Sequence, residues 1–367
     1  MHTPLPFALN PALTSLPVYQ PGRPIEEVAR ELGLPAADII KLASNENPLG
    51  PSPLALAALQ QAIGQVNLYP DGNAFYLKQK LATQLGVTPA HLILGNGSNE
   101  LIELLGHALL APGTEVVVSQ YSFAVYPIIT ALFDAQLVTV PAQQYGHDLP
   151  AMLRAITPRT RLVFVANPNN PTGTIAPRAE LQRLVEALPP HVILALDEAY
   201  IEFLDEPLDL IPLIRDGPRR NVVLLRTFSK IYGLAGLRVG YSIASPELTA
   251  ALEKIRQPFN LNSLAQAAAL AALDDTAHVT KTRQSNAAGL KLYEDACRQM
   301  SLEFVPSAAN FILIRVGDGQ RVFTELQRHG VIVRPMGGYQ LPEFVRISVG
   351  TPAENERCLA ALRSVLA

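Results

Sequence analysis

A lysine, Lys230, stands just beyond the apolar run NVVLLRT, with Ser229 beside it and Arg238 eight residues further on in GLAGLRVG. Near other cations, or stripped of water, a lysine amine gives up its proton at lower pH and can form a Schiff base with an aldehyde. The adjacent hydroxyl and guanidinium suit a phosphate. Residue type alone leaves an ordinary solvated lysine as the alternative.

Three other segments place polar groups where they could share that chemistry. HVILALDEAY ends on Asp197 and, three residues later, Tyr200. An acid at the mouth of a buried strand caps a helix, pairs with a base, or meets a cation brought by a cofactor. If the cation is a protonated ring nitrogen, Asp197 keeps the ring positive and Tyr200 reaches a neighbouring ring oxygen. RLVFVANPNNPTG sets Asn170 in a turn with Pro171, Thr172 and Gly173, which either aims an amide rigidly or simply closes a loop. GNGSNELIELL follows HLIL, so Gly95 and Gly97 allow a sharp turn and Ser98, Asn99 and Glu100 open a helix. Its free N–H groups suit a phosphate, or need only an ordinary cap. Neither this segment nor GLAGLRVG is a GxGxxG, which counts against a dinucleotide. An amine, a carboxylate, an amide and phosphate donors are the set that pyridoxal phosphate requires.

Such residues need a scaffold that delivers them to one place. From His91 to about Ser245, the runs HLILG, TEVVVS, QLVTVP, RLVFVANP, HVILALDE, NVVLLRT and VGYSIA alternate with segments of helical period. That alternation predicts an α/β unit with a mostly parallel central sheet flanked by helices, whose ligands bind at the carboxyl ends of the strands. The Pro-rich start reads as an arm, residues 1–47, contributing to a smaller domain. Residues 48–262 form the large domain, and 263–367 a small α/β domain that opens on the helix NLNSLAQAAALAAL and contains FILIRV, VIVRPM and FVRISVG.

Composition narrows the function classes. The 367 residues are 49% apolar and 17% charged, with a formal charge of −3 and no block of Lys or Arg, which gives no footprint for nucleic acid. The apolar runs stop short of the roughly 18–20 residues of a membrane span, and the amino terminus lacks the pattern of an export signal. Cys297 and Cys358 match no metal-ligand spacing, so a reducing cytoplasm and no metal are expected. His91, His107, His147, His191, His278 and His329 are assigned to structure or surface, and Glu202, Asp205 and Glu206 to a solvated loop.

NPNNPTG, DEAY, and SK followed by the arginine of GLAGLRVG, in this order and spacing, resemble the fold-type I pyridoxal-phosphate aminotransferases of class II. LPVYQPG, KLASNENPLGPSP, LYPDG, GNGSNE, RTFSKIYGLAGLRVGY, VIVRPM and VRISVGT are more closely similar to the histidinol-phosphate aminotransferase family, over nearly the whole chain. The resemblance implies transfer of an amino group between L-glutamate and imidazole acetol phosphate, giving L-histidinol phosphate and 2-oxoglutarate. It makes Lys230 the lysine that bonds pyridoxal 5′-phosphate and Asp197 the partner of the ring nitrogen. Asn170 and Tyr200 would hold the phenolic oxygen, Ser98, Asn99, Ser229 and Arg238 the phosphate, and Phe123 of QYSFAVY the ring face. Tyr69 of LYPDG would serve the cofactor of a neighbouring subunit, making a homodimer part of the site. Tyr19, Arg334 and Arg346 would surround the substrate. Aromatic-amino-acid aminotransferases and threonine-phosphate decarboxylases share the cofactor residues, and an aminotransferase-like effector-binding module is the non-enzymatic rival.

Overall fold

The computed structural model describes residues 11–14, 16, 18, 22–217 and 219–367. Seven strands form the central sheet: β2 (Leu92–Asn96), β3 (Glu115–Ser119), β4 (Gln136–Val140), β5 (Thr160–Ala166), β6 (Ile193–Asp197), β7 (Val222–Thr227) and β8 (Val239–Ile243). A two-residue strand, β1 (Ile40–Lys41), precedes them. The spatial order is β2-β8-β7-β6-β5-β3-β4, with β8 antiparallel to both neighbours and the other adjacent pairs parallel.

The apolar runs are continuous because both faces of this sheet are covered. Along β5, Val163 and Val165 enter one core with Leu194, Leu196 and Leu224, while Leu162 and Phe164 enter the opposite core with Ala195 and Leu225. Alternate side chains point to opposite faces, so a strand buried on both must be apolar at every position. Asp197 is one departure from that rule, beside others such as Glu115 of β3 and Ser242 of β8; it lies at the carboxyl end of β6, in register with Ala166 and Leu225.

The smaller unit holds β9 (Phe304–Val305), β10 (Phe311–Arg315), β11 (Val331–Ile332), β12 (Arg334–Pro335) and β13 (Phe344–Ser348). Four of these make an antiparallel sheet, β12-β13-β10-β9, and β1 runs parallel to β11. The segment before the large sheet is thereby tied to the smaller unit. The helix Ser263–Ala272, expected to open that unit, buries Ala265, Ala268 and Ala269 in the core of the large sheet together with Ala55. Small side chains permit this close packing, and an expected boundary at 262/263 cuts through it. Packing of the smaller unit's own core starts in the next helix, Thr276–Gln299, through Tyr293, Ala296 and Cys297.

The last helix, Pro352–Leu366, starts directly after β13 and carries a complete capping box. Thr351 Oγ1 accepts from Glu354 N at 3.3 Å, and Glu354 Oε2 accepts from Thr351 N at 2.7 Å. Two otherwise unpaired N–H groups are satisfied. Thr351→Ala is expected to cost about 1 kcal/mol, measured as an earlier urea transition in fluorescence or circular dichroism.

Candidate active site

The carboxyl ends of β5, β6 and β7 open into a cleft of about 260 Å³. At its floor lies Asp197, buried and held by two donors: Tyr126 Oη donates to Oδ2 at 2.7 Å, and Ala199 N donates to Oδ1 at 3.1 Å. Burial pushes this carboxyl above the usual carboxylate range, against the two hydrogen bonds, which favour the ionised form. Tyr126 is fixed in turn by a parallel stack on Phe164, with ring centroids 4.2 Å apart.

Lys230 sits on the turn after β7. Its Nζ is 3.3 Å from Asn45 O and 3.5 Å from Ser44 O, and 5.6 Å from the centre of the Tyr200 ring. Burial, with Arg346 as the next cause, brings its amine down to about 8. Tyr200 is buried against Phe311, and its hydroxyl accepts from Asn45 Nδ2 at 2.9 Å. Asn45 takes a positive φ of 55° to do this, and its backbone N donates to Ser348 Oγ of β13 at 2.8 Å. One short segment therefore joins the lysine, the tyrosine and the smaller unit.

Opposite the lysine lies a cradle at the start of the helix Gly97–Leu109. A Cβ on Gly97, whose φ is +74°, would stand 2.3 Å from Arg238 Nη2, and one on Gly240 would stand 2.5 Å from Ser98 N. Only glycine lets the guanidinium and the strand come so near the helix start. Arg238 Nη1 lies 3.4 Å from Ser229 Oγ, which accepts from Thr227 Oγ1 at 3.0 Å. Helix N–H groups, two hydroxyls and a guanidinium are chemically suited to a phosphate dianion.

The remaining wall comes from the smaller unit. Arg346 of β13 donates from Nη1 to Asn170 Oδ1 at 2.6 Å and from Nη2 to Ala43 O at 3.0 Å, with its guanidinium 5.1 Å from the centre of the Phe311 ring. Arg334 is its register partner in β12 and lines the same cleft, as do Phe123, Ser98 and Asn99. The structure thus gathers Lys230, Asp197, Tyr200, Asn170, Ser98, Asn99, Phe123, Ser229, Arg238, Arg334 and Arg346 around one space. Tyr69 is elsewhere: it is 83% exposed and stacks on Phe259 at 4.8 Å, beside exposed Val66 and Leu68. Tyr19 lies outside the described residues.

Sequence reasoning missed Asn45, Tyr126 and Thr227. Asn45 and Tyr126 stood in quoted segments, KLASNENPLGPSP and QYSFAVY, and Thr227 in RTFSK, but the partners that give them meaning are distant in the chain. Glu202 requires a correction. Its neighbours Ile201 and Phe203 are buried and draw the turn inward, so Oε2 of Glu202 is buried without a hydrogen-bond partner and the carboxyl is pushed up to about 7. Asp205 and Glu206 are exposed as expected. Among the described residues there is no group of His, Cys, Asp and Glu that could hold a metal ion, and no helix is long and apolar enough to cross a membrane.

Residues 37–362 match the family model of class I and II aminotransferases, and the chain belongs to that family. It is 53% identical to a histidinol-phosphate aminotransferase of Akkermansia muciniphila, over 97% of this chain and 98% of the relative. A histidinol-phosphate aminotransferase 2 of Ralstonia nicotianae is 54% identical over 95% and 94% of the two chains. Among solved structures, the histidinol-phosphate aminotransferase of Sinorhizobium meliloti in complex with pyridoxal-5′-phosphate aligns with a TM-score of 0.90 and 33% identity, covering 98% of this chain and 97% of that one. The fold is that of the fold-type I aminotransferases, shared also with an aspartate aminotransferase of Thermus thermophilus solved with maleate, at a TM-score of 0.83.

The depressed affinity of Lys230 for its proton predicts selective reactivity. In ligand-free protein, labelling of Lys230 by an amine-directed reagent should rise with pH through a midpoint near 8. Quantitative peptide mapping across the pH range checks this, and a Lys230 midpoint that coincides with the surface lysines would contradict it.

Proposed function

We propose that this cleft binds pyridoxal 5′-phosphate and transfers an amino group between L-glutamate and imidazole acetol phosphate, yielding L-histidinol phosphate and 2-oxoglutarate. The observation that carries the reading is the meeting, in one cleft, of a lysine with lowered proton affinity, a buried carboxylate and a glycine-walled phosphate cradle. The residues fit the cofactor at each end. Ser98, Asn99, Ser229 and Arg238 would hold its phosphate, Asp197 its ring nitrogen, Asn170 and Tyr200 its phenolic oxygen, and Phe123 its ring face.

When bound, the cofactor supplies an aldehyde that accepts the amino group and a ring that takes up electrons. The chain's own residues do the rest. Lys230 Nζ would hold the cofactor and, as a free amine, would take the proton from the substrate's reacting carbon. Asp197 keeps the ring nitrogen protonated, an electrostatic effect that matters most when charge builds up in the transition state. Arg346 presents a planar pair of donors that suits either the carboxylate of glutamate or the phosphate of the other substrate. Arg334 and Tyr19 complete the substrate wall in this reading.

The reading includes a homodimer. Tyr69, far from its own cleft, would reach the phosphate of the partner's cofactor, and the exposed apolar side chains around it would be covered. A cytoplasmic location also belongs to it, in keeping with two free, buried cysteines.

Incubation of purified protein with a panel of amino donors that includes threonine phosphate and of oxo acceptors that includes imidazole acetol phosphate, with products identified by mass, tests the reaction. L-Histidinol phosphate formed from glutamate is the expected result; loss of carbon dioxide would favour the decarboxylase, and faster turnover of phenylalanine or tyrosine the aromatic enzyme. Lys230→Ala should abolish multiple turnover, and borohydride treatment of wild type should leave the cofactor's mass on the Lys230 peptide.

Mixed dimers test the shared site. Tyr69→Phe should weaken cofactor affinity, and Arg346→Ala substrate binding. A hybrid of the two variants has one site with both residues altered and one with both intact. A charge-assisted arginine contact is worth about 1.5–3 kcal/mol, so the restored site should stand clear of either parent. Confirmed subunit exchange without any recovery would remove Tyr69 from the site.

A further inference from the structure

One hydroxyl unused by the reading above lies against the deepest charge in the cleft. Tyr126 is 1% exposed, in the first turn of the helix Val125–Leu132. Its ring is parallel to Phe164 within 1°. A phenylalanine would serve that stack equally well, and burying a phenol is unfavourable unless its oxygen is bonded. The oxygen's partner is Asp197 Oδ2, at 2.7 Å. Asp197 Oδ1 is occupied by Ala199 N at 3.1 Å. Each carboxylate oxygen thus carries one fixed donor, which sets the plane of the acid and leaves its remaining acceptor capacity to the cleft.

We propose that Tyr126 is a positioning residue for the cofactor's ring nitrogen: its hydroxyl holds the Asp197 carboxylate ionised and aimed, so that the acid meets a ring N–H as a charged acceptor. The proposal rests on the assignment of Asp197 to that nitrogen. The direction of the Tyr126 bond is unambiguous. Burial, then the charge of Asp197, keeps the phenol protonated, so it donates and the acid accepts. Burial of Asp197 works toward the neutral acid, and the Tyr126 hydrogen bond opposes it most strongly. Without that donor the acid would more readily keep a proton of its own, and its bond to a ring nitrogen would become a neutral one. The same segment sets the ring face. Tyr126 N donates to Phe123 O at 3.1 Å, and the Phe123 ring meets the Tyr126 ring edge-on at 5.7 Å. The stacking residue and the anchor of the carboxylate therefore hold their places together.

The test is a pair of binding measurements on cofactor-free protein with pyridoxamine 5′-phosphate and its 1-deaza analogue, neither of which bonds to Lys230. Calorimetry gives both affinities. Wild type should prefer the first, which alone carries the ring nitrogen. In Tyr126→Phe that preference should shrink about tenfold, the difference between a charged and a neutral hydrogen bond, with the affinity for the deaza analogue nearly unchanged. Phe164→Leu loosens the stack but keeps the hydroxyl, and should weaken both ligands together with the preference retained. Equal weakening of both ligands by Tyr126→Phe, or a preference that survives it, overturns the proposal while leaving Asp197 on the ring nitrogen. A wild type with no preference would instead overturn the role of Asp197, and this proposal with it.

Discussion

A carboxylate buried at the end of a central strand is the constraint around which this molecule is arranged. Removing such a group from water costs several kcal/mol unless donors or a cation replace the lost hydration. Tyr126 and the Ala199 amide replace part of it, and the lysine amine in the same cleft contributes a further favourable charge. The placement depends on parallel neighbours. Because β5, β6 and β7 all run the same way, with Ala166, Asp197 and Leu225 in register near their carboxyl ends, the loops that leave them emerge on one side. Asn170, Tyr200 and Lys230 all lie on those loops. Were one of the three strands reversed, its contribution would leave from the other edge of the sheet.

The residues that follow Asp197 and Leu225 hold a second buried charge pair. Glu198 Oε2 accepts from Arg226 Nε at 2.7 Å, and Tyr241 of β8 packs beside the guanidinium. Such a pair adds little net stability, because each ion has lost its water, yet removal of either partner leaves an uncompensated charge costing about 3–5 kcal/mol. Its effect is therefore on alternatives. A slip of β7 against β6 by one residue would part Glu198 from Arg226 and send Lys230 to a different height in the cleft. Alternation places Asp197 on one side of the strand and Glu198 on the other, so one dipeptide fixes both the chemistry and the register.

Much of the site was legible because its parts are local. Asp197, Asn170 and Lys230 each follow a recognisable strand, and Ser98 opens a recognisable helix, so position in an element and residue type could be read together. The sheet was legible for the same reason, since continuous apolar runs mark strands covered on both faces. What escaped was long-range. Asn45 gains its role only when Ser348 and Tyr200 are brought to it, and Tyr126 only when helix and β6 meet. Glu202 looked solvated beside Asp205 and Glu206, and only the burial of Ile201 and Phe203 draws it in. The helix Ser263–Ala272 looked like the start of a new domain because its pattern shows an apolar face without showing which core receives it.

Arg346 carries the argument from the fold to recognition. It belongs to the smaller unit by its strand, yet its two terminal nitrogens bond to Asn170 on the large sheet's loop and to Ala43 O on the segment tied to β1. An amide has one acceptor end and one donor end. With Asn170 Oδ1 held at 2.6 Å by a guanidinium, the end left to serve an oxygen acceptor in the cleft is the NH₂ group. The phenolic oxygen assigned to Asn170 in the proposed reading is such an acceptor. In that reading a single arginine would orient a cofactor contact and offer charge to the substrate's acid. A ligand acid that draws Arg346 away must compensate a charge-assisted bond already made, so the site favours acids that bring two oxygens in one plane over those that bring one. Carboxylates and phosphates meet that condition, and the two halves of an amino-group exchange between glutamate and a phosphorylated partner supply one of each.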